Sequence, residues 1–138
     1  MENRNQFIQS FRGASIGKVL IESSSDEVFQ NNTLWPILKL QNDLFIEIVK
    51  NHISKHKLDF SNFTVEKKLN YIENSIKNEV KFRNFLKGII IGLFTLDEFN
   101  TYNQNSSRLN KRMMNMLIER IQSQIQLLWN FIIIRYIF

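Results

Sequence analysis

The sequence predicts an all-α fold, a helical bundle ending in a long C-terminal helix, and three observations carry that prediction. Apolar residues recur at three- and four-residue steps over long stretches. One Pro and four Gly are too few for the many tight turns of a β-rich chain. Helix-start signals, above all Thr95-Leu-Asp-Glu98, stand at the head of these stretches. With 138 residues, 43% of them hydrophobic, the chain is long enough for one domain, residues 1–138, with a real core.

Asn3–Phe11 reads as a short helix that Phe7, Ile8 and Phe11 can dock, after which Gly13 and Gly17 interrupt. Residues 1–32 are expected to be the less regular part, with Asp26 capping a brief segment through Gln30. Thr33 then suits the N-cap of a helix with Pro36 in its first turn, where a missing N–H does little harm. Trp35, Leu38, Phe45, Ile48, Val49 and His52 keep its period to about Ser54. After a polar break at Asp59–Phe63, Thr64 is placed to cap Val65–Asn78. That helix turns Leu69, Tyr71, Ile72 and Ile76 inward, and Glu66, Lys67, Lys68, Glu73 and Lys77 toward water.

Lys81–Phe94, KFRNFLKGIIIGLF, presents Phe82, Phe85, Leu86, Ile89, Ile90 and Leu93 on one face. Its junction with the preceding helix is either a turn near Asn78 or a continuous run. Gly88 and Gly92 each cost about 1 kcal/mol of helix propensity relative to Ala. Such a cost suggests a close helix crossing or a ligand groove beside them. The Thr95 capping box opens the next helix, NQNSS ends it, and Ser106 or Ser107 is expected to cap the last one. Leu109, Met113, Met116, Leu117, Ile121, Ile125 and Leu128 form a packing seam along that last helix.

From Leu127 the polar face nearly vanishes, since LLWNFIIIRYIF has only Asn130 and Arg135 to interrupt it. The run is shorter than the roughly 20 apolar residues a bilayer span needs. It also lacks the basic side of a membrane-surface helix. Homodimerisation through Ile125, Leu128, Trp129, Ile132 and Tyr136 is the expected way to cover it.

The sequence offers little chemistry. With no Cys, thiol catalysis and cysteine metal sites are excluded. His52 and His56 form an HxxxH pair, but no third ligand is identifiable in the sequence, so no metal is expected. Gly13-Ala-Ser-Ile-Gly17-Lys18 misses the phosphate-loop spacing by one residue, and Val19 stands where the hydroxyl residue belongs. No nucleophile sits beside a base, so a non-enzymatic protein is expected. The formal charge of +5 is scattered. Its densest group, Arg108, Lys111 and Arg112, has no interleaved aromatics, so no nucleic-acid partner is expected. The N-terminus lacks the apolar core of an export signal, which points to the cytoplasm.

The stretch KFRNFLKGIIIGLFTLDEFNTYN, followed by SSRLNKRMMNMLIERIQ, resembles the non-haem globin sensor domains of sporulation histidine kinases. It is most similar to the small plasmid-encoded homologues that act alone as sporulation inhibitors, and the likeness spans about residues 33–138. The resemblance implies a globin-like bundle that dimerises through its last two long helices. It also implies a fatty acid in a hydrophobic channel, chloride as a further ligand, and competition with a related sensor histidine kinase for its signal. No His occurs in Val65–Phe94, where a haem globin carries its proximal ligand, so no haem is expected. The channel would then be lined by Phe45, Ile48, Val49, Phe85, Leu86, Gly88, Ile89, Gly92, Leu93, Met113, Met116, Leu117 and Ile121. His52, Arg83, Lys87 and Arg112 are the candidates for the carboxylate or an anion.

Overall fold

The computed structural model describes residues 3–13 and 24–128, and among these residues all regular structure is helical. The order is α1 (Arg4–Arg12), α2 (Ser25–Phe29), a π-helical turn (Gln30–Leu34) and α3 (Trp35–Leu40), followed by α4 (Asn42–Lys55) and a 3-10 turn (Phe60–Asn62). Then come α5 (Val65–Asn78), α6 (Val80–Ile91), α7 (Leu96–Gln104) and α8 (Ser106–Gln122). Helix α8 is the central element and touches the π turn, α5, α6 and α7, while α3 touches α1 and α4.

Several helix starts follow from local chemistry. Thr64 Oγ1 accepts the Lys67 N–H at the head of α5. Thr95 and Glu98 form the expected capping box of α7, with Thr95 N–H donating to Glu98 at 2.8 Å and Glu98 N–H donating to Thr95 at 3.2 Å. Asn3 and Gln6 make a second capping box at α1. Gly13 ends α1 at φ +80°, a backbone that disfavours any side chain.

Other boundaries differ from the sequence expectation. Ser24, rather than Asp26, caps α2 by accepting the Glu27 N–H. Thr33 is no N-cap: it lies buried within a helical path running from Ser25 to Leu40, and its hydroxyl donates to Glu98. Pro36 has no N–H to offer the Asn32 carbonyl four residues back, a helix irregularity that the π turn absorbs. That carbonyl accepts Arg12 Nη2 instead, at 2.9 Å. Asn105 precedes α8 without a side-chain cap, so neither Ser106 nor Ser107 fills that role. Glu79, at ψ 99°, separates α5 from α6, so the junction is a break one residue beyond Asn78 and not a continuous run. Helix α8 stops at Gln122, so the seam is not one continuous helix to Leu128.

Arg4 and Arg12 secure α1. Arg4 donates to the carbonyls of Phe94 and Gly92 at 2.8 and 3.1 Å, satisfying acceptors left at the end of α6. Arg12 forms a bidentate pair with Glu98 and also reaches the Leu93 carbonyl. The first helix is therefore a regular, tied-down element. Lys68 also departs from expectation: it is buried, with Nζ 5.7 Å from the Phe60 ring centre, because its long stem covers that ring.

One core runs through the described residues. Leu34, Ile37 and Leu38 meet Phe45 and Val49 of α4, Ile72 and Ile76 of α5, Leu86 and Ile90 of α6, and Met113, Leu117 and Ile121 of α8. The glycine crossing is absent from it. Gly88 is exposed, and a Cβ there would meet nothing within 4 Å; a Cβ at Gly92 would meet only the Gly88 and Ile89 carbonyls of its own helix. No described helix is long and apolar enough to cross a membrane.

Candidate functional site

A cleft of about 470 Å³ lies where the end of α5, the first turns of α6 and the N-terminal half of α8 meet. Arg83 and Lys87, four residues apart, share the α6 wall. Ser107, Asn110, Lys111, Met114 and Asn115 line it from α8 at three- and four-residue spacing, and Lys77 and Asn78 close it from α5. Among the described residues, four cations and no carboxylate line this cleft, so its potential is positive. Lys77 also pairs with Glu73 at 2.9 Å, and Arg83 donates to the Lys77 carbonyl at 3.1 Å. The Lys77 carbonyl near the end of α5 thereby holds Arg83 in place. Met114 is buried beside this polar wall and belongs to the same core as Leu86, Ile90, Met113 and Leu117. A charged mouth thus lies directly above apolar packing.

The channel residues expected from the sequence fall into three groups. Phe45, Val49, Leu86, Met113, Leu117 and Ile121 converge in the core, and Ile48, Ile89, Leu93 and Met116 lie half-buried against it. Phe85, 56% exposed, and the two exposed glycines Gly88 and Gly92 stand outside it. Helix α6 presents a narrower inward stripe than its apolar content suggests, because Leu86 and Ile90 alone are fully enclosed. The core positions are filled by one another's side chains.

The four anion candidates do not gather in one place. Arg83 and Lys87 share the basic cleft, whereas Arg112 lines a second cleft of about 420 Å³ that also holds Asp26 and Glu119. Arg112 donates to Gln30 Oε1 at 2.6 Å, and in that cleft Asp26 and Glu119 offset two of the three cations Arg108, Lys111 and Arg112, leaving it less positive than the first. The structure adds Lys77 and Lys111 to the basic cleft; Lys111 is legible in the Ser107, Lys111, Asn115 stripe on the polar side of α8, whereas Lys77 arrives through the packing of α5.

His52 belongs to a separate cluster. Its ring stacks on Phe82 at 3.9 Å and lies 4.3 Å from the His56 ring, while Nε2 stands 2.8 Å from Glu79 Oε2. Both of these atoms are shielded from water, and neither has an aligned hydrogen bond. Burial lowers the His52 pKa, helped by His56 and Lys55 and opposed by Glu79, with a net position below the ordinary imidazole value. At neutral pH the ring is therefore neutral, and the contact is not a full ion pair.

Of the residues expected at a dimer interface, Leu128 is buried in the chain's own core and Ile125 is half-buried against it. Trp129, Ile132 and Tyr136 lie outside the described residues. Comparison of the chain with protein-family models, with characterised proteins and with solved structures gives no match.

Proposed function

We propose that this protein is a non-enzymatic, stand-alone sensor that binds a fatty acid and inhibits sporulation by competing with a related sensor histidine kinase for its signal. The observation that carries the reading is the basic cleft set over the methionine-rich side of the core. Arg83, Lys87 and Lys111 offer a carboxylate three donors, and chloride is the simplest alternative anion for the same lining. The acyl chain would enter past Met114 between α6 and α8. Flexible methionine side chains suit a core that must reorganise around an unbranched ligand. Each buried CH₂ contributes roughly 0.8 kcal/mol, so a long chain can offset the work of parting these helices.

The likeness of residues 33–138 to the non-haem globin sensors supplies the biological setting, including a homodimer and a kinase whose signal is intercepted. Denaturing solvent extraction of the purified protein, followed by mass spectrometry, is the direct test. The expected result is a stoichiometric fatty acid whose yield falls by more than half in Lys87→Glu. A lipid-free extract, together with no rise in melting temperature on adding fatty acids, refutes the proposal.

A second reading, a ligand-independent interaction module, is favoured by Leu127, which is 52% exposed at the start of the apolar C-terminal run. It expects lipid-free protein to remain dimeric and Leu127→Lys to be monomeric with an intact helical spectrum. A dimer unchanged by that substitution counts against it.

A further inference from the structure

Helix α4 places His52 and His56 one turn apart near its C-terminal end, and the α5–α6 junction brings Glu79 to them. One ring nitrogen from each histidine and one Glu79 oxygen lie within 4.8 Å of one another. The sequence shows the histidine pair but not the carboxylate, which arrives only through the packing of α5 and α6. We infer that His52, His56 and Glu79 form a binding site for a divalent transition cation, zinc above all, which ties the end of α4 to the α5–α6 junction.

Three features point to a cation rather than a simple side-chain contact. His52 Nε2 and Glu79 Oε2 are 2.8 Å apart and shielded from water, yet neither makes an aligned hydrogen bond. With Nε2 unprotonated, both atoms can turn a lone pair to one cation, which would satisfy two shielded polar atoms that the fold leaves poorly partnered. His56 Nδ1 lies 2.8 Å from the His52 carbonyl, which can only accept, so Nδ1 carries the proton and Nε2 keeps its lone pair. A ring N–H given to a backbone carbonyl is one of the ways in which a zinc-binding histidine is oriented. The His52 ring, with its side chain 11% exposed, is held by its stack on Phe82, so one ligand is positioned in advance.

Two imidazoles and one carboxylate match the borderline-soft preference of zinc and leave a fourth position for water. With bonds of about 2.0–2.1 Å, tetrahedral ligands stand roughly 3.4 Å apart. The 2.8 Å contact must open and the wider separations must close by about an ångström, within reach of side-chain rotations at exposed His56 and at half-buried Glu79. Because Glu79 is the break between two helices, the bound cation would fix the angle at which α6 leaves α5.

The test is titration of the purified full chain with Co²⁺, read by its visible absorption, and with Zn²⁺, read by calorimetry and thermal shift. Wild type should bind one equivalent at micromolar or tighter affinity, with tetrahedral cobalt bands and a raised melting temperature. His56→Gln and Glu79→Gln should each weaken binding by more than about 10-fold, the size that loss of even an outer partner costs. Glu73→Gln, which removes a carboxylate elsewhere on α5, should bind as wild type. Circular dichroism confirms that each variant is folded. Millimolar binding by wild type, or affinity retained in Glu79→Gln, overturns the three-ligand site.

Discussion

Replacing Glu98 by Ala removes a carboxylate that serves three elements at once. It closes the α7 capping box with Thr95, accepts the Thr33 hydroxyl from the π turn, and pairs bidentately with Arg12 of α1. The Arg12 side chain is 5% exposed, so the substitution strands a buried guanidinium. Breaking a buried pair in this way costs about 3–5 kcal/mol, while the Thr95 cap itself survives because its hydroxyl bonds the backbone N–H of residue 98. Against a typical total of about 5–15 kcal/mol, that is a large share of the stability. Urea unfolding followed by circular dichroism should show a loss of at least about 3 kcal/mol. The pH dependence follows from the same contacts. Burial alone would raise the Glu98 pKa, but the hydrogen bonds from Arg12, Thr33 and Thr95 and the Arg12 charge outweigh it and hold the pKa below the usual 4.5. A depressed carboxyl pKa stabilises the fold above pH 4.5, and that contribution disappears as the pH falls through the folded value. Wild type should therefore lose stability in acid, and Glu98→Gln should lose less over the same interval. A penalty below about 1 kcal/mol for Glu98→Ala, or identical acid profiles for wild type and Glu98→Gln, would refute the idea that this network docks α1.

Gly88→Ala should stabilise the protein by about 0.5–1 kcal/mol, because the position is helical and open and the added methyl restricts the unfolded chain. A melting temperature lowered by several degrees would instead reveal a neighbour packed on Gly88. Leu86→Ala should cost about 2–5 kcal/mol in denaturant unfolding, since Leu86 is fully enclosed, whereas Phe85→Ala, at the adjacent but exposed position, should cost under about 0.5 kcal/mol. Similar penalties for the two would mean that the inward face of α6 is misassigned.

Where a boundary depends on neighbours in sequence, it is legible in the sequence. Thr64 and Thr95 were identifiable as caps because a hydroxyl and the N–H three residues on are joined by the local geometry of the first helical turn. Thr33 carries the same local signal and is misread, because its hydroxyl partner, Glu98, comes from another part of the chain. The inward positions of α8 follow from its period. How much of α6 is covered does not, since coverage depends on what lies opposite, and among the described residues nothing encloses Phe85.

The candidate sites divide along the same line. Arg83 and Lys87 share one face because they are four residues apart on a helix, and the sequence fixes that much by itself. That Lys77 and Lys111 join them, that Arg112 faces a cleft with two acids, and that Glu79 meets His52 and His56 are decided by how α4, α5, α6 and α8 pack. Helix period and capping involve groups within a turn or two of each other, so the sequence alone determined the helices and most of their apolar faces. A binding site requires groups from distant segments to converge, and only the tertiary structure, set by the fit of whole helix faces against one another, decides which of them meet.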